Sequence, residues 1–168
     1  TPNIESLGII AGSRNLPLLV AREARKAGVR KITAVAFDGE TDPQLASLVD
    51  SITWLKVGQL TKMFSVFRRE GVNRCVMAGQ IAPKNLFEVR PDLRAMMMLF
   101  KLKEKNANTI FGAIGDELAK EGINLIQATP WLKPAMPAEA FHLGPAVSNV
   151  LCDDIHFGHP IAKKVSRL

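Results

Sequence analysis

The sequence predicts an α/β fold: a Rossmann-like parallel sheet of about five strands with helices on both faces. Short apolar runs alternate with amphipathic stretches along the whole chain. The runs are apolar almost throughout, as in strands covered on both faces, rather than alternating apolar with polar. Gly28, Gly71 and Gly122 each follow a helical stretch, where a left-handed residue stops a helix.

The elements follow in order. Leu7 to Ala11 reads as the first strand, and Gly12-Ser13-Arg14-Asn15 breaks it. Leu16 to Ala27 has helical spacing, with Pro17 in the first turn, where a missing N–H costs nothing. Lys31 to Phe37 is the second strand, closed by Asp38-Gly39, and Asp42 to Val49 reads as a short helix. Ile52 to Val57 is a third strand, Gln59 to Glu70 a helix, and Arg74 to Ala78 a fourth strand. Asp92 to Glu104 and Thr109 to Glu121 are helices, and Ile123 to Ala128 is a fifth strand. Thr129 to Leu143, rich in Pro and Ala, reads as loop. A helix is expected from about Ala146, and Pro160 is expected to start another toward Arg167.

Bulk properties narrow the class. The length of 168 residues suits one domain. Two distant cysteines, Cys75 and Cys152, form no disulfide framework, so a reducing, cytoplasmic compartment is expected. Thr1 to Ser6 hold no basic region followed by an apolar core, which argues against a signal peptide. Apolar runs stop short of a membrane span of ~20 residues. The net charge of +6 fits a basic soluble domain, attraction to phosphates, or an anionic membrane face. Nucleic acid is not expected, because the cations are scattered and no basic stripe is interleaved with aromatics.

Ligands of open parallel sheets sit outside the carboxyl ends of the strands. In the first such loop Gly12 allows a tight turn, the helix start offers amides to an anion, and Ser13, Asn15 and Arg14 add donors. Asn15 as a plain helix cap is the competing reading. One glycine instead of the three of G-x-G-x-x-G argues against a dehydrogenase. Asp38 reads better as an Asp-Gly turn than as a ribose ligand. Gln59, after the third strand, is a helix start or an amide for a base or sugar. Gly79-Gln80 opens a long loop with Lys84 and Arg90, where Gln80 and Lys84 can meet sugar or phosphate.

Asp92 to Glu104 carries two apolar stripes, one of Leu93, Met96, Met97 and Phe100 and one of Met98, Leu99 and Leu102. Three readings stand open: burial on most sides, a subunit interface, or a Met-lined surface for acyl chains near an anionic membrane. Asp153, Asp154, His156 and His159 match no strong metal motif, so no metal is assigned to this chain. No catalytic nucleophile is visible.

Leu7 to Pro17, Val57 to Leu60, Val76 to Ile81, Asp116 to Ile123, and Asp154-Ile155 with Gly158 and Ile161-Ala162-Lys163 come in a characteristic order. Together they resemble the amino-terminal domain of the bacterial UDP-2,3-diacylglucosamine pyrophosphatases of the lipid A pathway, over nearly the whole chain. The resemblance implies a Rossmann-like first domain and a distinct second one, with the UDP-sugar lipid held between them; the reading of the strand-end loops puts this domain's contacts at Gly12, Ser13, Arg14, Asn15, Leu16, Gln59, Gly79 and Gln80. It implies hydrolysis to UMP and 2,3-diacylglucosamine 1-phosphate, with Mg2+ in the full enzyme and none held by this domain alone. The catalytic acid would lie in a second domain beginning about where this chain stops. A peripheral place on the inner membrane and a homodimer stay open. The family usually has a small residue where this chain has Arg14, and often an acidic pair where it has Ala107 and Asn108. A non-catalytic nucleotide- or sugar-phosphate-binding module is the alternative.

Overall fold

β1 (Ser6–Ala11) is the middle strand of a five-stranded parallel sheet with the order β3-β2-β1-β4-β5. The computed structural model describes residues 5–81, 91–104, 106–138, 141, 143–144 and 148–166, residue 107 by its backbone only. β2 (Lys31–Phe37), β3 (Ser51–Leu55) and β4 (Arg74–Ala78) follow the apolar runs closely. Ala11 pairs with both Ala36 and Ala78, so the carboxyl ends of the three central strands are level.

Side chains leave the sheet alternately, and helices cover both faces. One face packs Leu7, Ile9, Ile32, Ala34 and Val76 against Val20, Ala21 and Ala24 of α1 (Leu16–Lys26). The other packs Ile10, Val35, Phe37 and Cys75 against Met63, Phe64 and Phe67 of α2 (Leu60–Arg69). α3 (Leu93–Lys101) adds Ala95 and Met98 to that core, and α4 (Ala107–Lys120) adds Leu118. Arg94 of α3 binds Glu117 and Glu121 and stacks over Phe64, 4.5 Å from the ring centre, so it fastens α3 to both neighbouring helices.

Four expectations change. The helix expected over 42–49 is a 3-10 turn, Pro43–Ser47, opened by the Asp42 carboxylate accepting the Gln44 N–H at 2.8 Å. β5 is only Asn124–Leu125: beyond the bond from the Ile126 N–H to the Cys75 carbonyl the chain leaves the sheet edge. The expected loop from Thr129 contains a short helix, α5 (Thr129–Leu132), and a 3-10 turn, Lys133–Ala135. Trp131 buries itself in the core there, so residues 129–135 are an anchored part of the fold. The two helices expected toward the end are one, α6 (Asn149–Val165), which contains Pro160. The proline removes the N–H that would reach the His156 carbonyl, which is tolerable because no described residue of α6 is buried and water can serve that carbonyl. The expected start near Ala146 lies outside the described residues.

The chain divides into two compact units, Thr1–Ala135 with the sheet and Met136–Leu168 with α6. The Ser148 hydroxyl caps α6 by accepting the Leu151 N–H at 3.3 Å. No helix among the described residues is long and apolar enough to cross a membrane.

Candidate functional site

From β1 the chain runs outward through β2 to β3, then returns through α2 to β4 on the other side of β1. The direction of winding therefore reverses between β1 and β4, where α/β sheets open a crevice at their carboxyl ends. The loops 12–16 and 79–81 leave the sheet at that point.

The two loops clasp each other. The Gly12 N–H donates to the Ala78 carbonyl at 2.7 Å, and the Ser13 N–H to the Gln80 carbonyl at 2.6 Å. The Ser13 hydroxyl donates to that same carbonyl at 2.8 Å. The glycines are what permit this approach. A Cβ on Gly79 would lie 2.5 Å from the Ser13 carbonyl oxygen, and one on Gly12 would lie 2.8 Å from the Gln80 nitrogen. Gly79 also has φ +92, which L side chains rarely adopt. The sequence suggests a tight turn at Gly12, but the left-handed residue of this loop is Arg14, at φ 70, and Gly12 serves close contact instead. A left-handed arginine is uncommon and costs on the order of 1 kcal/mol.

Asn15 takes the capping position of α1, yet its side chain makes no capping hydrogen bond, contrary to the cap reading. The first-turn amides, Pro17 excepted, have no side-chain acceptor from Asn15. The other helix starts are served. The Asp92 carboxylate accepts the Thr61 N–H of α2 at 2.7 Å and the Ala95 N–H of α3 at 2.9 Å. Asn106 accepts the Thr109 N–H of α4 at 3.0 Å. Among the described helices, α1, α2 and the four-residue α5 get no cap from their own capping residue, and of these α2 has a distant carboxylate, Asp92, on one first-turn amide. Arg14, Asn15 and Leu16 are exposed beside this open start.

Gly12, Ser13, Arg14, Asn15, Leu16, Gly79 and Gln80 thus come together, and Gln59 does not join them. Gln59 follows β3 at the sheet edge, two strands from β1 or roughly 10 Å away. Its amide oxygen accepts the Lys56 N–H at 3.0 Å, which closes its own turn. Asp38 sits in a turn whose Glu40 and Thr41 N–H groups both donate to the Phe37 carbonyl at 3.0 Å. Lys84 and Arg90 lie outside the described residues.

Two residues matter here that sequence reasoning passed over. The buried Thr41 hydroxyl accepts the Phe37 N–H at 2.9 Å and donates to the Ala11 carbonyl, tying the ends of β1 and β2. Asp92 serves two helices at once, and its own N–H donates to the Gly58 carbonyl at 3.1 Å. The cap of Asp92 on its own helix is a local signal, but its bond to Thr61 and that of Thr41 to Ala11 have no sequence signature, since each depends on a partner far along the chain.

Burial pushes the Cys75 thiol up to about 12, so it acts as a core side chain and not as a nucleophile. Among the described residues no three His, Cys, Asp or Glu gather as metal ligands.

The LpxI N-terminal domain family matches residues 6–135. Its end coincides with that of the first compact unit at Ala135. No curated protein matches the chain. Among solved structures, it is similar to the biotin carboxylase domain of a thermophilic 2-oxoglutarate carboxylase bound to ADP, with TM-score 0.43 and 10% identity over 76% of this chain and 24% of that one. It is also similar to the multifunctional pyruvate carboxylase from Rhizobium etli, with TM-score 0.45 and 13% identity over 78% and 12% of the two chains. The chain spans a quarter or less of the length of these structures.

Proposed function

The chain belongs to the LpxI N-terminal domain family of the lipid A pathway, and on that premise we propose that it is the substrate-binding half of a UDP-2,3-diacylglucosamine pyrophosphatase. The observation that carries the reading is the uncapped start of α1 at the β1–β4 switch point, beside the exposed Arg14.

In this reading the diphosphate of the UDP-sugar lies on the first-turn amides of α1, where the helix dipole favours negative charge. The Arg14 guanidinium grips a phosphate oxygen through paired N–H donors. Ser13 and Gly79 shape the crevice by holding the loops together, and the Gln80 side chain faces ligand while its carbonyl serves Ser13. Gln59 contributes only if the ligand reaches the β3 edge. Cleavage to UMP and 2,3-diacylglucosamine 1-phosphate, with its magnesium and its acid, belongs to the second domain of the family. This domain orients the phosphates for that attack and by itself hydrolyses nothing.

Arg14 gives the test. Arg14→Gly removes the cation and relieves the left-handed strain, so the variant is expected to be at least as stable as the parent. Its affinity for the UDP-sugar, measured by titration calorimetry, is expected to fall by about 1–3 kcal/mol, roughly 5- to 150-fold. Unchanged affinity in the folded variant returns this loop to a purely structural role.

A further inference from the structure

We propose that the outward stripe of α3 seats the protein on an anionic lipid surface. Leu93, Met96, Met97 and Phe100 recur at helical spacing and share one face. The fold buries the other side of this helix, Ala95 and Met98 fully and Leu99 in part. The stripe itself is left in water: Leu93 is 70% exposed, Met96 41%, Met97 51% and Phe100 81%. Phe111 of the adjoining α4 is half-exposed as well. Contiguous apolar surface with a polar rim marks an interaction site.

The rim is basic. Lys101 and Lys103 are exposed at the carboxyl end of the stripe, and neither forms an ion pair with a described acid. Glu104, beside them, accepts from the Asn106 side chain. Arg94 is committed to Glu117 and Glu121, so it holds the helix down. The Asp92 carboxylate and N–H fix the start of α3 to α2 and to the Gly58 carbonyl, at the carboxyl end of β3. The stripe is thus carried on a rigid mount.

Size and charge select the occupant. Four partly exposed side chains offer on the order of 500 Å², less than the ~800 Å² each partner of a stable protein pair contributes. A short apolar ridge suits shallow insertion between headgroups and acyl chains, where Met and Leu adapt to a fluid medium. The two lysines then reach the phosphates from its edge, their stems lying along the apolar boundary. This surface is separate from the α1 crevice and does not depend on the UDP-sugar reading.

The test is sedimentation of the full chain with vesicles free of any UDP-lipid, made of phosphatidylglycerol and phosphatidylethanolamine or of phosphatidylcholine alone. The expected result is salt-sensitive binding to the phosphatidylglycerol vesicles. Lys101→Gln with Lys103→Gln should weaken it by about thirtyfold, as for two cations at an anionic surface. Leu93→Ser with Phe100→Ser should abolish it while the unfolding midpoint stays unchanged, since both side chains project into solvent. Failure to bind these vesicles, equal binding to phosphatidylcholine, or binding only when a UDP-lipid is included overturns the proposal. So does a dimer in sedimentation velocity that Phe100→Ser dissolves, which would make a second copy the occupant. UMP titration of the same protein reports on the α1 crevice separately, so either idea can fail alone.

Discussion

Three glycine-to-alanine substitutions separate the two forces that hold the loops together at the carboxyl ends of β1 and β4. At Gly79 an alanine must adopt φ +92 and place its Cβ 2.5 Å from the Ser13 carbonyl oxygen. The left-handed backbone costs about 1–2 kcal/mol. Relieving the clash parts the loops and loosens the Gly12-to-Ala78 bond at 2.7 Å and the Ser13-to-Gln80 bond at 2.6 Å. It also loosens the Ser13 hydroxyl bond at 2.8 Å. At about 1 kcal/mol each, these losses bring the total to about 4 kcal/mol. Gly12→Ala meets the Gln80 backbone without a left-handed φ, so it should cost about 3 kcal/mol. Gly28→Ala, at φ +95 with nothing within 4 Å of its Cβ, should cost only the backbone share. For a chain of this length the melting temperature should fall by about 12 °C for Gly79→Ala and about 4 °C for Gly28→Ala. Thermal unfolding followed by circular dichroism measures both. Equal shifts at Gly79 and Gly28 would mean that the loops are not held together as described.

Trp131→Ala should cost about 3–5 kcal/mol in urea unfolding, because a large core side chain is removed; a loss below about 1 kcal/mol would return residues 129–135 to loop. The Glu117 carboxylate is held below its usual range chiefly by Lys120, then Arg94, and that of Glu121 chiefly by Arg94. A depressed folded value contributes stability above the ordinary value of 4.5 and loses it as pH falls further. The stability gap between the parent and Arg94→Met should therefore be constant from neutral pH to about 5 and shrink below it. A gap independent of pH in urea midpoints would refute that coupling.

The central strands were legible because burial on both faces leaves a nearly unbroken apolar run. β5 was less so. Past the Ile126 bond to Cys75 the ladder ends, yet Ile126 and Ala128 pack against the core, and burial outside a ladder leaves the same mark in sequence as a strand. α5 is too short for helical periodicity, and only the Trp131 anchor distinguishes it from loop. Pro160 suggested a break that an exposed helix does not need. At the site, the position after β1 was readable from the general rule for parallel sheets. The uncapped Asn15, the left-handed Arg14 and the need for Gly79 to face Ser13 were not, since each depends on where the backbone goes. Gln59 looked equivalent to Gln80 as an amide after a strand, but strand order puts one at the edge and the other at the switch point.

The most direct measurement is a titration of UMP followed through the backbone amide resonances. Phosphate seated on the start of α1 should move the signals of Asn15, Leu16 and Leu18 first and most, with Gly79 and Gln80 following across the crevice. Saturating nucleotide that leaves these five amides still, or that shifts only residues around Gln59, would contradict the account.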